Sequence, residues 1–546
     1  MLPKKYLSLI LIALCFLVYA NSLNGAFICD DLTSIVNNPS VNNAAQYLFS
    51  PPGLLNSLNY LTGKLNPFSY HLTNVLLHSV NSVLAFIFLC LFFKTEAAFL
   101  GAGLFAAHPI HTEAVSWISG RPYCVLGFFI FAIYLLYRAS SYGPDGQGRF
   151  RPGRYLCCLT MFAYFLVNHI SFLALVPLFI IFSDLTFQRW RRNWKLWLPF
   201  LAVTAVRLIL ARNFVLNHVA QVAKNIGESG ASWTNPVYNL TYSVFTHLRL
   251  LLWPAGLTIY HEPMIVSARA IHTGIVTLAI VLILLPWIYK KAKMIFFAIG
   301  IFVLFLAPTY SPRPVCWLVA ERYVYFPSVA LSMALAFFYD RLSQPEGRRP
   351  LALAIAWLMI AGYGARTVAR NEDWKTQARF WRQTLEVSPL SPKARNNMGD
   401  VYYQEGNIEG AIREFKKSLE LRPEYADPCF NLGNIYYYLK GDVPEAIRYF
   451  KLAIRFNPEL SEARYHLGII YLNQREFDLA EENFKKALEL KPDYAEAHNS
   501  LAVAYFHSRQ PALAIAHYRQ ALKLRADIDA EFSRAMEALI SGRAGF

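Results

Sequence analysis

Charge is scarce in this sequence. Asp, Glu, Lys and Arg together make up 16% of its 546 residues, while 55% are hydrophobic and the mean hydropathy is positive. Soluble globular domains carry about 25% charged residues, so a wholly soluble chain is excluded. Acidic residues are scarcest of all before residue 371. Residues 1–370 hold 11 Asp or Glu against 28 Lys or Arg, whereas residues 371–546 hold 25 against 24. Cysteine is sparse too, and none of the 8 stands at metal-ligand spacing, which excludes a cysteine-built zinc site. Cys15, Cys90, Cys157 and Cys158 lie in apolar runs and read as core- or lipid-facing thiols. Cys29 and Cys316 read as external, with nothing to pair them. A Walker loop, a dinucleotide fingerprint and a Gly-x-Ser-x-Gly elbow are all missing, which argues against nucleotide chemistry.

What is present is a series of apolar runs. A membrane span needs about 20 apolar residues. Candidate spans cover 6–22, 74–93, 97–116, 122–138, 154–168, 170–187, 195–213, 271–289, 293–309, 322–339 and 350–368. The first reads as an uncleaved span rather than a signal peptide. His247 and Arg249 interrupt the stretch 238–253. The basic residues sit between these runs, which suits cytoplasmic loops and anionic headgroups rather than nucleic acid. Lys4 and Lys5 put the N-terminus inside, as do Arg138–Arg154, Arg189–Lys195, Lys290–Lys293 and Arg341–Arg349 for their loops. With 238–253 not fully crossing, about eleven spans result. The C-terminus then lies outside, on the side of the first external loop, 23–73.

Near residue 371 the pattern changes to helical periodicity with interspersed charges. Gly399, Gly433, Gly468 and Ala502 align, as do Tyr402, Tyr436, Tyr471 and Tyr505, and Phe415, Phe450, Phe484 and Tyr518. Ala411, Ala446, Ala480 and Ala514 form a further row. The spacing of 34 or 35 residues is the tetratricopeptide period, the longer step reflecting one extra residue between Gly433 and Ala446. The expected fold is therefore all-α, with a polytopic membrane domain over 1–370 and a repeat α-solenoid over 371–546. Four repeats are expected, with a preceding helix at 372–389 and a terminal one at 527–541. The repeated residues are packing positions; the use of such a stack is a concave surface for a peptide or protein.

Because acidic residues near lipid are costly, the outward ones are informative. They are Asp30, Asp31, Glu113, Glu228, Glu262 and Glu321. Adjacent carboxylates such as Asp30-Asp31 suit a divalent cation (Mg or Mn) or a general base for a hydroxyl proton. The alternative is a solvated turn capping a helix. His108 and His111, with Glu113 and Arg121 downstream, suit a metal or a phosphate, or are satisfied structural groups. His71 and His78 at the mouth of the second span are further candidates. Arg313 and Arg322, beside Glu321, suit a lipid-linked phosphate or a headgroup anchor.

In order along the chain, these segments resemble the transmembrane and TPR-containing O-mannosyltransferase-like family. The resemblance lies in Asp30-Asp31 with Ile35-Val36-Asn37-Asn38-Pro39, in Tyr70 to His78, and in His108 to Glu113 with Gly120-Arg121. It continues in Ala320 to Pro327 and in Arg370-Asn371-Glu372-Asp373-Trp374. It implies a GT-C glycosyltransferase fold with the acidic motif, here Asp30 and Asp31, in the active site. The donor would be a sugar on a polyprenyl phosphate, transferred with inversion to Ser/Thr of an acceptor protein held by the repeats. His108, His111, Arg121, Arg313 and Arg322 would face the leaving phosphate. A lipid or polysaccharide acceptor, or a non-enzymatic scaffold, are the alternatives. Many relatives have Lys-Glu where this chain has Asn168-His169, which puts that pair's part in donor binding in question. The expected location is a bacterial inner membrane with periplasmic repeats, or alternatively the endoplasmic reticulum with lumenal ones.

Overall fold

The computed structural model describes residues 2–48, 50–141, 150–168, 174–210, 236–259, 268–310, 319–344 and 346–541. Every regular element among them is helical. The chain forms two compact units, Met1–Ser388 and Pro389–Phe546.

The apolar runs of the first unit become helices Lys4–Tyr19, Pro67–Leu89, Thr95–Ala107, Arg121–Ser141, Pro152–Asn168, Val176–Thr186 and Trp190–Leu210, and, further on, Ala268–Lys291, Lys293–Leu306, Val329–Leu342 and Arg349–Asn371. The stretch interrupted by His247 and Arg249 is helical as well, Pro236–Leu252. Five apolar segments among the described residues are long enough to cross a membrane: Lys4–Ser22, Pro67–Leu89, Ile118–Ser141, Trp190–Leu210 and Arg349–Trp374. This is a helical membrane protein.

The hub of the unit is one of its shorter helices. Thr95–Ala107 packs against Lys4–Tyr19, Pro67–Leu89, Val329–Leu342 and Arg349–Asn371, and everything from Ala97 to Ala107 is buried. Small residues allow the close approach. A Cβ at Gly101 would lie 2.6 Å from the Ser332 carbonyl oxygen, and one at Gly103 would lie 3.1 Å from Ile360. The expected span over 97–116 stops at Ala107 because Pro109 follows. The residue before a proline is pushed out of the helical region, and His108 is extended, at φ −74° and ψ 126°. Likewise the expected span over 322–339 begins only at Val329, leaving Glu321–Val324 in a 3₁₀ turn.

The second unit is the expected run of helix pairs, from Pro392–Gln404 with Ile408–Leu421 to Ala495–His507 with Pro511–Lys523, closed by Ala530–Ile540. The aligned glycines make room for the aligned phenylalanines. A Cβ at Gly399, Gly433 or Gly468 would lie 2.5, 2.8 or 2.7 Å from Phe415, Phe450 or Phe484. The extra residue of the second repeat is absorbed by a π-helical turn, Tyr436–Lys440, which ends at Gly441 with φ 65°. The helix Gln377–Val387 is part of the first unit. There Phe380 packs on Trp374 at 4.9 Å and Gln383 donates to the Leu257 carbonyl.

Gly433→Ala is expected to destabilise the repeat unit by about 1–3 kcal/mol through overpacking against Phe450. Thermal unfolding of the full chain followed by limited proteolysis reads this, the unit's midpoint falling while the first unit's stays.

Candidate active site

The acidic pair sits in a tight turn after the first span. Asp31 N–H donates to the Ile28 carbonyl at 3.0 Å, and the Asp31 carboxylate accepts Ile28 N–H at 3.1 Å. Cys29, inside this turn, has φ 51°, a left-handed value unusual for a residue with a Cβ. The reciprocal bonds place the two carboxylates differently: Asp31 is buried and Asp30 is exposed. The other Asp31 oxygen accepts the backbone N–H of Ser119 at 2.8 Å and its hydroxyl at 2.5 Å. Ser119 lies in the 3₁₀ turn Ile118–Gly120 that leads into the helix Arg121–Ser141. An N–H at a helix start has no partner within the helix, and the helix dipole favours an anion there. Asp31 therefore holds the turn that leads into this helix, from a loop 88 residues away in sequence.

Burial pushes the Asp31 carboxyl up to about 6, against the hydrogen bonds from Ser119 and Ile28 that pull it down. The free acid titrates near 3.9. Ionised Asp31 therefore costs folding free energy as the pH rises from there to about 6. With both its oxygens turned toward N–H and O–H hydrogens, Asp31 is poorly arranged to share a cation with Asp30. Among the described residues no three His, Cys, Asp or Glu gather as a metal cluster.

The histidines of the second cluster are internal. His108 accepts Ile110 N–H at 3.1 Å and donates to the Leu251 carbonyl at 2.9 Å. His111 pairs with Ser328 at 2.7 Å, and His78 with Tyr325 at 2.8 Å and the Ala106 carbonyl at 3.1 Å. The rings of His78 and His111 lie 5.2 Å apart. His71 is buried against Gly25. Because the segment breaks at His108, His108 and His111 do not share one helix face. Arg121 is buried and donates to Asn74, Asn56 and the Tyr70 carbonyl at 2.7, 2.6 and 2.9 Å. Arg313, Cys316, Glu228, Glu262 and His169 lie outside the described residues.

The third cluster is a pair of buried ionic contacts on adjacent residues. Arg322 bonds Glu113 through its guanidinium and, at 2.7 Å, through its backbone N–H. Glu321 faces Arg370 at 3.6 Å, and Arg370 also holds Asp373 at 2.9 Å. Burial pushes the Glu321 carboxyl up to about 7, opposed by Arg370. Asn371 is buried beside them, donating to the Val18 carbonyl and to Asn21 and accepting from Ser116. Trp374 stacks on Trp117 at 6.1 Å, and Ala26 N–H donates to the Lys375 carbonyl. The last span thus ends against the loop that carries Asp30. Sequence reading did not single out Ser119, Asn371 or Trp117. Asn371 and Trp374 stood in a motif used only for the resemblance, and that was the available signal.

Models of the tetratricopeptide repeat match residues 399–439, 429–462 and 465–531. The fold is thus that of a helical membrane protein carrying tetratricopeptide repeats. Over 478 residues the chain is 25% identical to Protein O-mannosyl-transferase TMTC3 of Mus musculus, covering 77% of this chain and 51% of that one. It is 25% identical over 453 residues to Protein O-mannosyl-transferase F38B6.6 of Caenorhabditis elegans, covering 76% and 63%. Its homologues are thus protein O-mannosyl-transferases of the TMTC family. The chain spans about half the length of the TMTC3 relatives of Mus musculus and Homo sapiens. Among solved structures, a crystal structure of MamA protein aligns with 27% of this chain and 80% of its own, at 26% identity and a TM-score of 0.25.

Glu113→Gln is expected to cost about 3–5 kcal/mol, because it leaves Arg322 buried without its counter-ion. Adding Arg322→Met is expected to recover part of the loss. Thermal unfolding in detergent micelles measures both.

Proposed function

We propose that this protein is a membrane glycosyltransferase that moves a sugar from a polyprenyl-phosphate donor to Ser/Thr hydroxyls of an acceptor protein. Mannose, the sugar in its relatives' names, is the first candidate. The observation that carries this reading is the exposed Asp30 on a turn that the buried Asp31 closes. In the proposed step the acceptor oxygen attacks the anomeric carbon. The bond from that carbon to the phosphate oxygen breaks, and the electron pair leaves with polyprenyl phosphate. Asp30 takes the acceptor's hydroxyl proton, and the sugar is transferred with inversion. No step passes through a metal ion.

Charge developing on the leaving phosphate needs a fixed cation nearby. Arg322 is the best placed of the described arginines for this. It borders a small crevice with Tyr123, Leu126, Phe305, Tyr323 and Phe326. Arg121 and the buried histidines then brace the site, and Arg313 remains a second candidate for the phosphate. The repeats would hold the acceptor, emerging on the Asp30 side of a bacterial inner membrane or the endoplasmic reticulum.

Asp30→Asn is expected to lower transfer by about 10²-fold or more, the usual scale of a lost general base. Mass spectrometry of glycan occupancy on secreted proteins checks this; unchanged occupancy sinks the assignment and favours a scaffold. Wild-type transfer is expected to fall as the pH drops through about 6, where Asp31 takes up a proton. The sign follows from its role: only the ionised carboxylate accepts from Ile28 and Ser119 together.

A further inference from the structure

We infer that Ser119 is a positioning residue for this reaction, setting the acidic turn so that Asp30 meets the acceptor hydroxyl. The inference rests on the reading of Asp30 given above. Among the described residues, Ser119 is the one outside the first loop whose backbone and side chain both hold Asp31, at 2.8 and 2.5 Å. It also reaches the other half of the turn. Its hydroxyl oxygen lies 3.2 Å from that of Ser34, and Ser34 O–H donates to the Asp30 carbonyl at 2.6 Å. A single residue therefore contacts the Asp31 carboxylate directly and the Asp30 backbone through one intermediary.

Counting protons sharpens this. Each serine hydroxyl has one proton. With Asp31 ionised, the Ser119 proton goes to Asp31 and the Ser34 proton to the Asp30 carbonyl. The contact between the two hydroxyl oxygens then has no proton of its own. When Asp31 is protonated, its O–H can donate to Ser119, whose own proton turns to the Ser34 oxygen and strengthens the bond that Ser34 donates to the Asp30 carbonyl. Protonation at Asp31 is thereby felt at the backbone of Asp30. Ser119 itself cannot give way easily, because a Cβ at the next residue, Gly120, would lie 2.2 Å from the Glu113 carbonyl oxygen. The charged or titratable groups that act on Asp31 are Asp30 and Cys29 on its own turn and Arg121 from the helix behind it. Arg121 is itself held by Asn56, Asn74 and Tyr70.

The test uses the full chain in detergent micelles, a synthetic short-chain polyprenyl-phosphate mannose and a Ser/Thr-rich peptide. Ser119→Ala is expected to move the acid limb of the rate profile alkaline by about one pH unit, the scale of one lost hydrogen bond to a charged acceptor. The loss should fall on kcat rather than KM, and Ser119→Thr should restore the wild-type profile. Hydrogen exchange over residues 26–37, which needs no substrate, should be about tenfold faster in Ser119→Ala. An unmoved acid limb, or a loss equal at every pH that threonine does not rescue, overturns the inference. Unchanged exchange overturns it as well. A wild-type chain without transfer activity sinks the functional reading instead, and exchange then decides alone whether Ser119 holds the turn.

Discussion

A carboxylate from one loop holding a turn 88 residues later, just ahead of a helix, is the contact on which the acidic site depends. Asp31 supplies an acceptor to the 3₁₀ turn Ile118–Gly120, and Ser119 in that turn supplies donors that make a buried charge tolerable. Both sides gain from the same bonds. Asp30 follows from this as the free member of the pair, because the neighbouring residue is fully committed. The adjacent acids are thus an anchor and an exposed group rather than two equal carboxylates.

Around that contact the end of the bundle is closed by groups from distant parts of the chain. Glu113 and Arg322, Glu321 and Arg370, and Asn371 with Val18, Asn21 and Ser116 join the end of the first span, the break after Ala107, the turn before Val329 and the end of the last span. Buried ion pairs add little net stability compared with apolar packing. What they add is a defined arrangement, since a buried charge is tolerated only beside its counter-charge.

Much of this architecture was legible because it is periodic. Apolar runs near the length of a bilayer and a 34-residue repeat are visible without any contact being known. The acidic pair and the histidines were also visible, since charged groups stand out in apolar sequence. Their roles were not. Asp31 and Ser119, His108 and Leu251, and Glu113 and Arg322 meet only after the helices pack, and no local pattern marks one as the other's partner. The end of the third apolar run was misplaced for a different reason. Pro109 already disfavours the helix that hydropathy alone extends to residue 116.

The hub helix has a consequence of depth. Its 13 residues span about 20 Å, while the hydrocarbon layer is about 30 Å thick. The chain from His108 to Gly120 turns aside before a full crossing is made. Irregular backbone at that level is tolerable only when protein surrounds it, and nearly every residue of this segment is buried. The loop that Asp31 grips therefore rests on packed protein from below. On the proposed reading, donor and acceptor would have to meet over that rigid floor rather than over lipid.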